Sequence, residues 1–324
     1  MEQTRFFDIY HPLIEKVINN VESVMIGKRQ IVELSLTALL AEGHVLLEDV
    51  PGVGKTMMVR AVAKSIGASF SRIQFTPDLL PSDLTGVSIF NQKEMKFEFR
   101  PGPLMGNIIL ADEINRTSPK TQSALLESME ERSMTVDGHT YPLNQPFFVM
   151  ATQNPLEYEG TYPLPEAQLD RFLLKLNMGY PTQDEELEIL SRRESSHPID
   201  EIDQVITLDE LLAMQTAVKE VHVDEKVKRY IVEIVTHTRR HSMISLGASP
   251  RGSLLLMKAV QAYAYLNHRN YVLPDDVKFL APFVLAHRMI LHHEARFEGV
   301  EMKKIVKEIL EKVNVPIMKE KHAR

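Results

Sequence analysis

Hydrophobic and polar positions alternate in short blocks along the first 180 residues of the 324-residue chain. Runs of β-branched and other apolar residues predict buried strands, and the segments between them have the spacing of amphipathic helices. Strands and helices in this alternation are typical of an α/β fold with crossover helices. The predicted sheet strands are HVLLE (44–48), FSRIQF (70–75), NIILAD (107–112), FFVMAT (147–152) and FLLKLNM (172–178).

Two further pairs of strand-like runs predict inserted β-hairpins. The runs GVSIF and KFEFR are separated by a turn at Asn91 to Glu94. The runs SMTV and HTYPL flank Asp137-Gly138, a dipeptide that favours a two-residue hairpin turn. An ordinary edge hairpin is the alternative for each pair.

After Pro181 the strand-like runs disappear, and apolar residues recur at spacings of three and four. This change predicts two domains, an α/β core over residues 1–180 and a smaller all-α domain over residues 181–324. The predicted helices of this second part are 183–193, 208–220, 224–241, 252–268 and 275–291.

Composition limits the classes of protein that fit this pattern. Apolar residues make up 44% and charged residues 25% of the chain, which is ordinary for a globular protein. The net charge of -7 is interspersed rather than gathered into a basic stripe, so we expect no nucleic-acid partner. The chain has no cysteine, no signal-peptide pattern and no apolar run of roughly 18 to 20 residues, so a cytoplasmic protein without a membrane span is expected.

The segment HVLLEDVPGVGKTMMV (44–59) predicts a strand, a glycine-rich turn and a helix. Within it, Gly54, Lys55 and Thr56 match the end of the P-loop pattern G-x-x-x-x-G-K-[ST], in which backbone N–H groups, here those from Gly52 through Thr56, converge on phosphate oxygens. Lys55 is then expected to reach the β- and γ-phosphates, and Thr56 to offer its hydroxyl to Mg²⁺. A plain glycine turn is the alternative. The first position of the pattern is Asp49 instead of glycine, so the match is by chance, or Asp49 is accommodated, or nucleotide binding has been lost.

Other candidates for chemistry follow later strands. Asp112 ends the run NIILAD and Glu113 follows it, where they are either solvated acids or a Mg²⁺ ligand and a general base. Asn154 follows FFVMAT, where Asn-Pro is either a turn signal or an amide near the γ-phosphate. Arg171 and Arg251 are either surface cations or the positive charge that a γ-phosphate transition state requires.

These motifs in this order, followed by a helical domain, resemble an AAA+ ATPase. Several longer segments are similar to the MoxR family: QFTPDLLPSDLTG, FEFRPGPL, ADEINRTSPKTQSALLESMEER, MATQNPLEYEGTYPLPEAQLDRF and GASPR. The resemblance extends over nearly the whole chain and implies a parallel sheet of order 5-1-4-3-2, with a C-terminal all-α lid. It also implies that the two hairpins face the ring pore or the partner.

The resemblance also implies roles for the candidate residues. Asn154 becomes sensor 1, Arg251 the sensor 2 arginine of the lid, and Arg171 the finger presented to a neighbouring subunit. The implied metal ligands are Thr56 and Asp112. The segment VMIGKRQIV resembles the part that lines the adenine pocket. The predicted nucleotide-binding residues are therefore Ile26, Gly27, Pro51, Gly52, Val53, Gly54, Lys55, Thr56 and Met57.

The implied function is that of an ATP- and Mg²⁺-dependent ring, commonly a hexamer, that remodels a protein partner as a chaperone does. The resemblance points to a partner with a von Willebrand factor A domain. A nucleotide-gated binding scaffold with little turnover is the alternative, and a DNA-processing AAA+ protein is disfavoured by the acidic balance. With the other motifs in place, we interpret Asp49 as a tolerated variation that adopts a left-handed backbone at a cost of roughly 1 to 2 kcal/mol, with its carboxylate turned away from the phosphates.

Overall fold

The computed structural model describes residues 2–50, 52–154, 160–193 and 198–317. The chain forms two compact units, residues 1–217 and residues 218–324. Residues beyond 198 still belong to the first unit. For example, the N–H of Val205 donates to the backbone carbonyl of Ser65 at 2.8 Å. The predicted domain boundary after residue 180 stays a prediction. Among the described residues, no helix is both long and apolar enough to cross a membrane.

The first unit alternates strands and helices as the hydrophobic pattern predicts. Its helices are α1 (Glu2–Glu22), α2 (Arg29–Leu40), α3 (Lys55–Ser65), α4 (Pro81–Thr85), α5 (Pro119–Glu131), α6 (Glu166–Leu169), α7 (Gln183–Arg193), α8 (Pro198–Glu201) and α9 (Leu208–Lys219), which crosses the boundary at residue 217. Its strands are β1 (Val45–Glu48), β2 (Phe70–Gln74), β3 (Gly86–Asn91), β4 (Lys96–Pro101), β5 (Ile108–Asp112), β6 (Ser133–Val136), β7 (His139–Pro142), β8 (Phe148–Gln153) and β9 (Leu174–Leu176).

Five of these strands form one parallel sheet of order β2-β5-β8-β1-β9. Counted along the chain, this is the order 5-1-4-3-2, which confirms the expected core. The central strands β5 and β8 are buried along almost their whole length, as parallel strands covered on both faces must be. The carboxyl ends of β1, β5 and β8 therefore meet at one edge of the sheet.

A buried histidine joins the sheet to helix α5. His44 Nδ1 accepts the N–H of Val149 at 3.0 Å, and its Nε2 lies 3.2 Å from the carbonyl of Met129. Since Nδ1 is an acceptor, the proton of the neutral ring must be on Nε2, where it donates to that carbonyl. Burial lowers the pKa of His44 to about 4.

The two hairpins are β3 with β4 and β6 with β7, each an antiparallel pair. Asp137 and Gly138 have φ of 51° and 79°, as a tight two-residue turn between right-twisted strands requires. Both hairpins are confirmed at the predicted positions. The β3–β4 hairpin leaves large apolar side chains in solvent, with Met95 74% and Phe97 72% exposed.

The second unit is mostly helical. It contains α10 (Glu225–Thr238), β10 (Ile244–Leu246), α11 (Pro250–Leu266), α12 (Pro274–Leu285), β11 (Ile290–Leu291), α13 (His293–Phe297) and α14 (Met302–Lys312). The helix predicted to run to residue 291 is wrong at its end, because α12 stops at Leu285 and β11 pairs with β10. The guanidinium of buried Arg288 donates to the carbonyl of Val284, a group that a continuing helix would bind through its backbone.

Candidate active site

The glycine-rich loop connects β1 to α3 at the carboxyl edge of the sheet. Gly52 and Gly54 have φ of 89° and 94°, in the left-handed region that L side chains avoid, so glycine is required at both. Gly54 is the residue before α3, whose first turn begins at Lys55. The free N–H groups of this turn form the positive end of the helix, which suits an anion. Pro51 lies outside the described residues.

A cleft of about 400 Å³, the P-loop cleft, adjoins the loop. Lys55 and Thr56 reach it from α3, Asp112 and Glu113 from the end of β5, and Asn154 from the end of β8. The sequence separates these residues by up to about a hundred positions, and the parallel sheet brings them together. The lining consists of Gly52, Gly54, Lys55, Thr56, Met57, Arg60, Arg72, Gln74, Asp112, Glu113 and Asn154.

Lys55 is held close to the start of its own loop. Its ammonium donates to the carbonyl of Asp49 at 2.9 Å. Burial lowers the pKa of Lys55, and the carboxylates of Asp112, Asp49 and Glu113 oppose that shift. The carboxylates thus favour the charged ammonium that a polyphosphate site needs.

The carboxylate of Asp112 is fixed by hydrogen bonds from both neighbouring strands. Thr152 Oγ1 donates to Oδ1 at 2.6 Å, and Arg72 Nη2 donates to Oδ2 at 2.6 Å. Thr152 is fully buried, whereas the Arg72 side chain is 49% exposed, so the threonine bond is the better shielded of the two. Asp112 therefore has one orientation set by the sheet.

Glu113 has a left-handed backbone, with φ of 60°. This geometry costs about 1 kcal/mol for a residue with a side chain, and such strain is found at functional positions. The N–H of Glu113 donates to Thr152 Oγ1 at 2.8 Å. Its Oε2 accepts from Gln74 Nε2 at 2.9 Å and lies 3.4 Å from Arg116 Nε. The carboxylate is accordingly held at the cleft by Gln74 and Arg116.

Sequence reasoning missed several residues at this site: Arg60, Arg72, Gln74 and Thr152. A signal for two of them is present in FSRIQF, where Arg72 and Gln74 alternate with the buried Ile73. Residues two apart share one face of a strand, and polar residues there lie beside the acids of β5. Gln74 is directly opposite Asp112 in the parallel register.

A second cavity of about 140 Å³, the Ile26 cavity, also adjoins the loop and shares Gly52, Gly54 and Met57 with the P-loop cleft. Its lining is Val24, Met25, Ile26, Lys28, Gly52, Val53, Gly54, Met57, Pro181, Ile189 and Arg192. The predicted Gly27 is not part of this lining. It has φ of 68°, and a Cβ placed there would meet the Glu185 side chain. The cavity is mostly apolar, as a site for a flat base would be.

Asp49 is accommodated in a way that its sequence position does not reveal. The residue is 5% exposed, and its carboxylate accepts the N–H groups of Met178 and Gly179, the latter at 3.1 Å. The carboxylate is thus turned away from the P-loop cleft, as predicted. The predicted left-handed backbone is wrong, because Asp49 is not among the described residues with positive φ. Its tolerance comes instead from these two hydrogen bonds.

The two predicted arginines, Arg171 and Arg251, are not among the residues that line the P-loop cleft. Arg171 follows α6, forms an ion pair with Glu130 at 3.1 Å, and does not line the P-loop cleft of its own chain. Its side chain is 27% exposed. Arg251 is in the first turn of α11, in the second unit. Their predicted roles, like those of the other site residues, stay predictions.

Two domain families match the chain by their sequence models. One, described as "ATPase family associated with various cellular activities (AAA)", matches residues 44–174. The other, an AAA lid domain, matches residues 236–309. The first match covers the P-loop, both acids and Asn154, and the second lies within the helical unit.

Relatives and a solved structure are similar over almost the whole chain. YeaC of Bacillus subtilis is 67% identical over 309 residues, covering 95% of this chain and 97% of that protein. Chaperone MoxR1 of Mycobacterium tuberculosis is 43% identical over 312 residues, covering 94% and 82%. A crystal structure from Cytophaga hutchinsonii has a TM-score of 0.91 and 42% identity, covering 97% of this chain and 98% of that one. The chain belongs to the MoxR family of AAA+ ATPases.

Proposed function

We propose that the protein binds ATP with Mg²⁺ and hydrolyses it. The observation that carries the proposal is the convergence of Lys55, Thr56, Asp112 and Glu113 on one cleft beside a helix N-terminus. An ammonium for the phosphates, oxygen ligands for a cation and a further carboxylate for water are the groups that in-line attack on a γ-phosphate requires.

The oxygen donors present suit Mg²⁺. This ion prefers oxygen ligands, and in nucleotide sites it is held by one or two carboxylates, phosphate oxygens and water. The Thr56 hydroxyl and the Asp112 carboxylate both line the cleft, and Asp112 is oriented by Thr152. When bound, the ion would offset the negative charge of the phosphates.

Each remaining residue has a separate task in the proposal. Glu113 orients and polarises the attacking water, and Lys55 neutralises charge on the terminal phosphates. Asn154 lines the cleft at the end of β8, where its amide can bind the γ-phosphate or the water. Arg251 contributes positive charge from the lid, by analogy with the family.

We further propose that the active form is a ring, with six subunits as in many AAA+ proteins. Arg171 is partly exposed and lies outside the cleft of its own chain, which fits a finger that completes the site of a neighbour. The work of the ring is proposed to be the remodelling of a protein client, such as one with a von Willebrand factor A domain. A relative named as a chaperone supports this class of function.

Replacement of Glu113 by Gln tests the hydrolytic proposal. The side chain keeps its size, so ATP should bind with unchanged affinity, while the hydrolysis rate should fall by at least about 100-fold because the base is lost. Glu127→Gln is the matched control, since Glu127 is exposed on α5 and does not line the cleft. A Glu113→Gln protein that hydrolyses ATP at the wild-type rate would refute the assignment.

Mixing two inactive variants tests the shared site. Arg171→Ala subunits keep their own cleft but lack the finger, and Glu113→Gln subunits keep the finger but lack the base. Mixed assemblies should regain hydrolysis, because a Glu113→Gln subunit can supply Arg171 to the cleft of its neighbour. If mixtures at every ratio stay as inactive as the separate variants, Arg171 does not act between subunits.

Binding partners distinguish a motor from a nucleotide-gated scaffold. Under ATP, the Glu113→Gln protein should retain a client that the wild type releases, and mass spectrometry of the co-purified proteins identifies it. In a scaffold, client function in cells should survive the substitution. Recovery of the chain alone would count against remodelling.

A further inference from the structure

The carboxylate of Asp49 binds a segment that is far from it in sequence. Both of its oxygens are used, since Met178 N–H donates to Oδ2 and Gly179 N–H donates to Oδ1. Asp49 is buried and lines neither the P-loop cleft nor the Ile26 cavity. A buried carboxylate must be hydrogen-bonded, so these two amides are what keeps it there.

Lys28 binds the carbonyl groups of the same segment. Its ammonium lies 2.9 Å from the oxygen of Met178, 3.4 Å from that of Gly179 and 3.1 Å from that of Tyr180. The backbone of residues 178–180 is therefore held through its N–H groups by an anion and through its carbonyls by a cation. Hydrogen bonds to charged groups are the stronger kind, which makes this segment well anchored.

The anchored segment leads directly into one wall of the Ile26 cavity. Pro181 follows it and lines the cavity, and Ile189 and Arg192 line it from α7. Helix α7 starts with a capping box, in which Thr182 N–H donates to Glu185 Oε2 at 2.7 Å and Glu185 N–H donates to Thr182 Oγ1 at 3.3 Å. The position of residues 178–180 consequently determines the position of Pro181 and of the start of α7 beside the cavity.

Asp49 also belongs to the phosphate loop. Its carbonyl accepts from Lys55 at 2.9 Å, and its N–H donates to Gln153 of β8 at 3.2 Å. One residue thus contacts the lysine of the P-loop cleft through its backbone and, through its side chain, the segment that leads into the wall of the Ile26 cavity. A glycine in the first P-loop position could make only the backbone contact.

We propose that Asp49 and Lys28 are positioning residues for the nucleoside part of the nucleotide. They hold residues 178–180, and with them the cavity wall that begins at Pro181, at the distance from the loop that accommodates a base and its ribose while the phosphates occupy the P-loop cleft. This inference rests on the proposed function, because it assumes that a nucleoside triphosphate is the ligand. It predicts that loss of either side chain weakens ligands that contain a nucleoside and leaves phosphate-only ligands unaffected.

Calorimetric titration with ATP and with inorganic tripolyphosphate separates the two effects. Asn in place of Asp49 keeps the shape but turns an NH₂ toward a backbone N–H, so we expect Asp49→Asn to weaken ATP by about tenfold, with a change of less than about twofold for tripolyphosphate. Asp83→Asn is the matched control, because Asp83 also accepts a backbone N–H, at 2.8 Å, and lines neither cavity.

Lys28 gives a second variant, and because Lys28 also lines the Ile26 cavity, faster exchange of the Met178 and Gly179 amides in Lys28→Met is the result that separates positioning from direct contact with the nucleoside. Lys28→Met should show the same selective loss of ATP affinity, and Lys28→Arg should restore it in part. Lys64→Met is the control, since Lys64 likewise binds two backbone carbonyls, of Ile199 at 3.0 Å and Asp200 at 3.1 Å, away from both cavities. If Asp49→Asn fails to fold, the half-buried Lys28 carries the test.

Hydrogen exchange shows whether the wall has been released. The amides of Met178 and Gly179 should exchange faster in Asp49→Asn, with the amides of β5 and β8 unchanged. Equal losses of ATP and tripolyphosphate affinity, or no loss of either in both variants, would overturn the inference. A wild-type protein that binds tripolyphosphate but shows no preference for ATP would also overturn it, whereas one that binds neither ligand would refute the proposed function itself.

Discussion

Replacement of Thr152 should show how much the hydrogen bonds that hold Asp112 and Glu113 contribute, without changing either acid. Thr152 is fully buried in β8, and its single hydroxyl accepts the N–H of Glu113 at 2.8 Å and donates to Asp112 Oδ1 at 2.6 Å. Thr152→Val removes the hydroxyl and leaves a side chain of nearly the same shape. The substitution should therefore destabilise the first unit without opening a cavity.

Two losses set the size of the effect. A hydrogen bond to a charged acceptor contributes about 1.5 to 3 kcal/mol, and a buried N–H left without a partner costs about 1 to 3 kcal/mol. The Asp112 side chain is 14% exposed, so water can replace part of its lost bond. We expect the free energy of unfolding of the first unit to fall by about 3 kcal/mol.

Urea unfolding followed by circular dichroism measures this change, with the transition of the first unit fitted separately because a chain of two units need not unfold in one step. Thr152→Ser is the matched control, since it keeps the hydroxyl and loses one methyl group, at about 1 kcal/mol. Thr152→Val should also weaken ATP more in Mg²⁺ than in EDTA. Equal stability of the two variants, together with an unchanged Mg²⁺ effect, would refute the role of the hydroxyl.

Two further predictions concern the pH dependence of stability and the hold on Glu113. Because burial lowers the pKa of His44 to about 4, the unfolded chain takes up the proton first as the pH falls. The stability conferred by the neutral ring is thus full above pH 6.5 and is lost on acidification. In urea titrations, the free energy of unfolding should fall by about 3 kcal/mol more than that of His44→Gln between pH 6.5 and 4. Parallel pH dependences for the two proteins would contradict this. Gln74→Ala removes the donor at 2.9 Å from Glu113 Oε2 and should raise basal ATP hydrolysis by a few-fold in a steady-state assay, because a carboxylate held by Arg116 alone can turn toward the attacking water. A lower rate would contradict this and show that Gln74 holds Glu113 in its working position.

Local patterns made much of the core predictable. The five sheet strands follow from apolar runs of the right length, and the turn at Asp137-Gly138 follows from one of the few dipeptides that accept its geometry. The loop from Gly52 to Thr56 was also predictable from local sequence, because its phosphate-binding groups are consecutive backbone amides. The end of α12 was not predicted, since residues 290–291 pair with β10, a strand more than 40 residues earlier in the chain.

For the candidate site, the sequence likewise predicts which residues take part but not which residues hold them in place. The identities of Lys55, Thr56, Asp112, Glu113 and Asn154 are evident in the sequence because each stands next to a strand end or a glycine turn, and parallel strands place such ends together. The strand residues that hydrogen-bond Asp112 and Glu113 lie about 40 positions away in the sequence, at registers that depend on how the crossover helices pack.

Asp49 is the clearest example of a role that the tertiary structure, and not the sequence motif, determines. Its position in the motif suggested a strained substitute for glycine, and the sequence offered no way to find the amides of Met178 and Gly179, which lie next to it only after β9 has paired with β1. A motif records which residues are adjacent along the chain. The environment that gives a buried carboxylate its partners, and with them its role, arises when distant strands pack side by side.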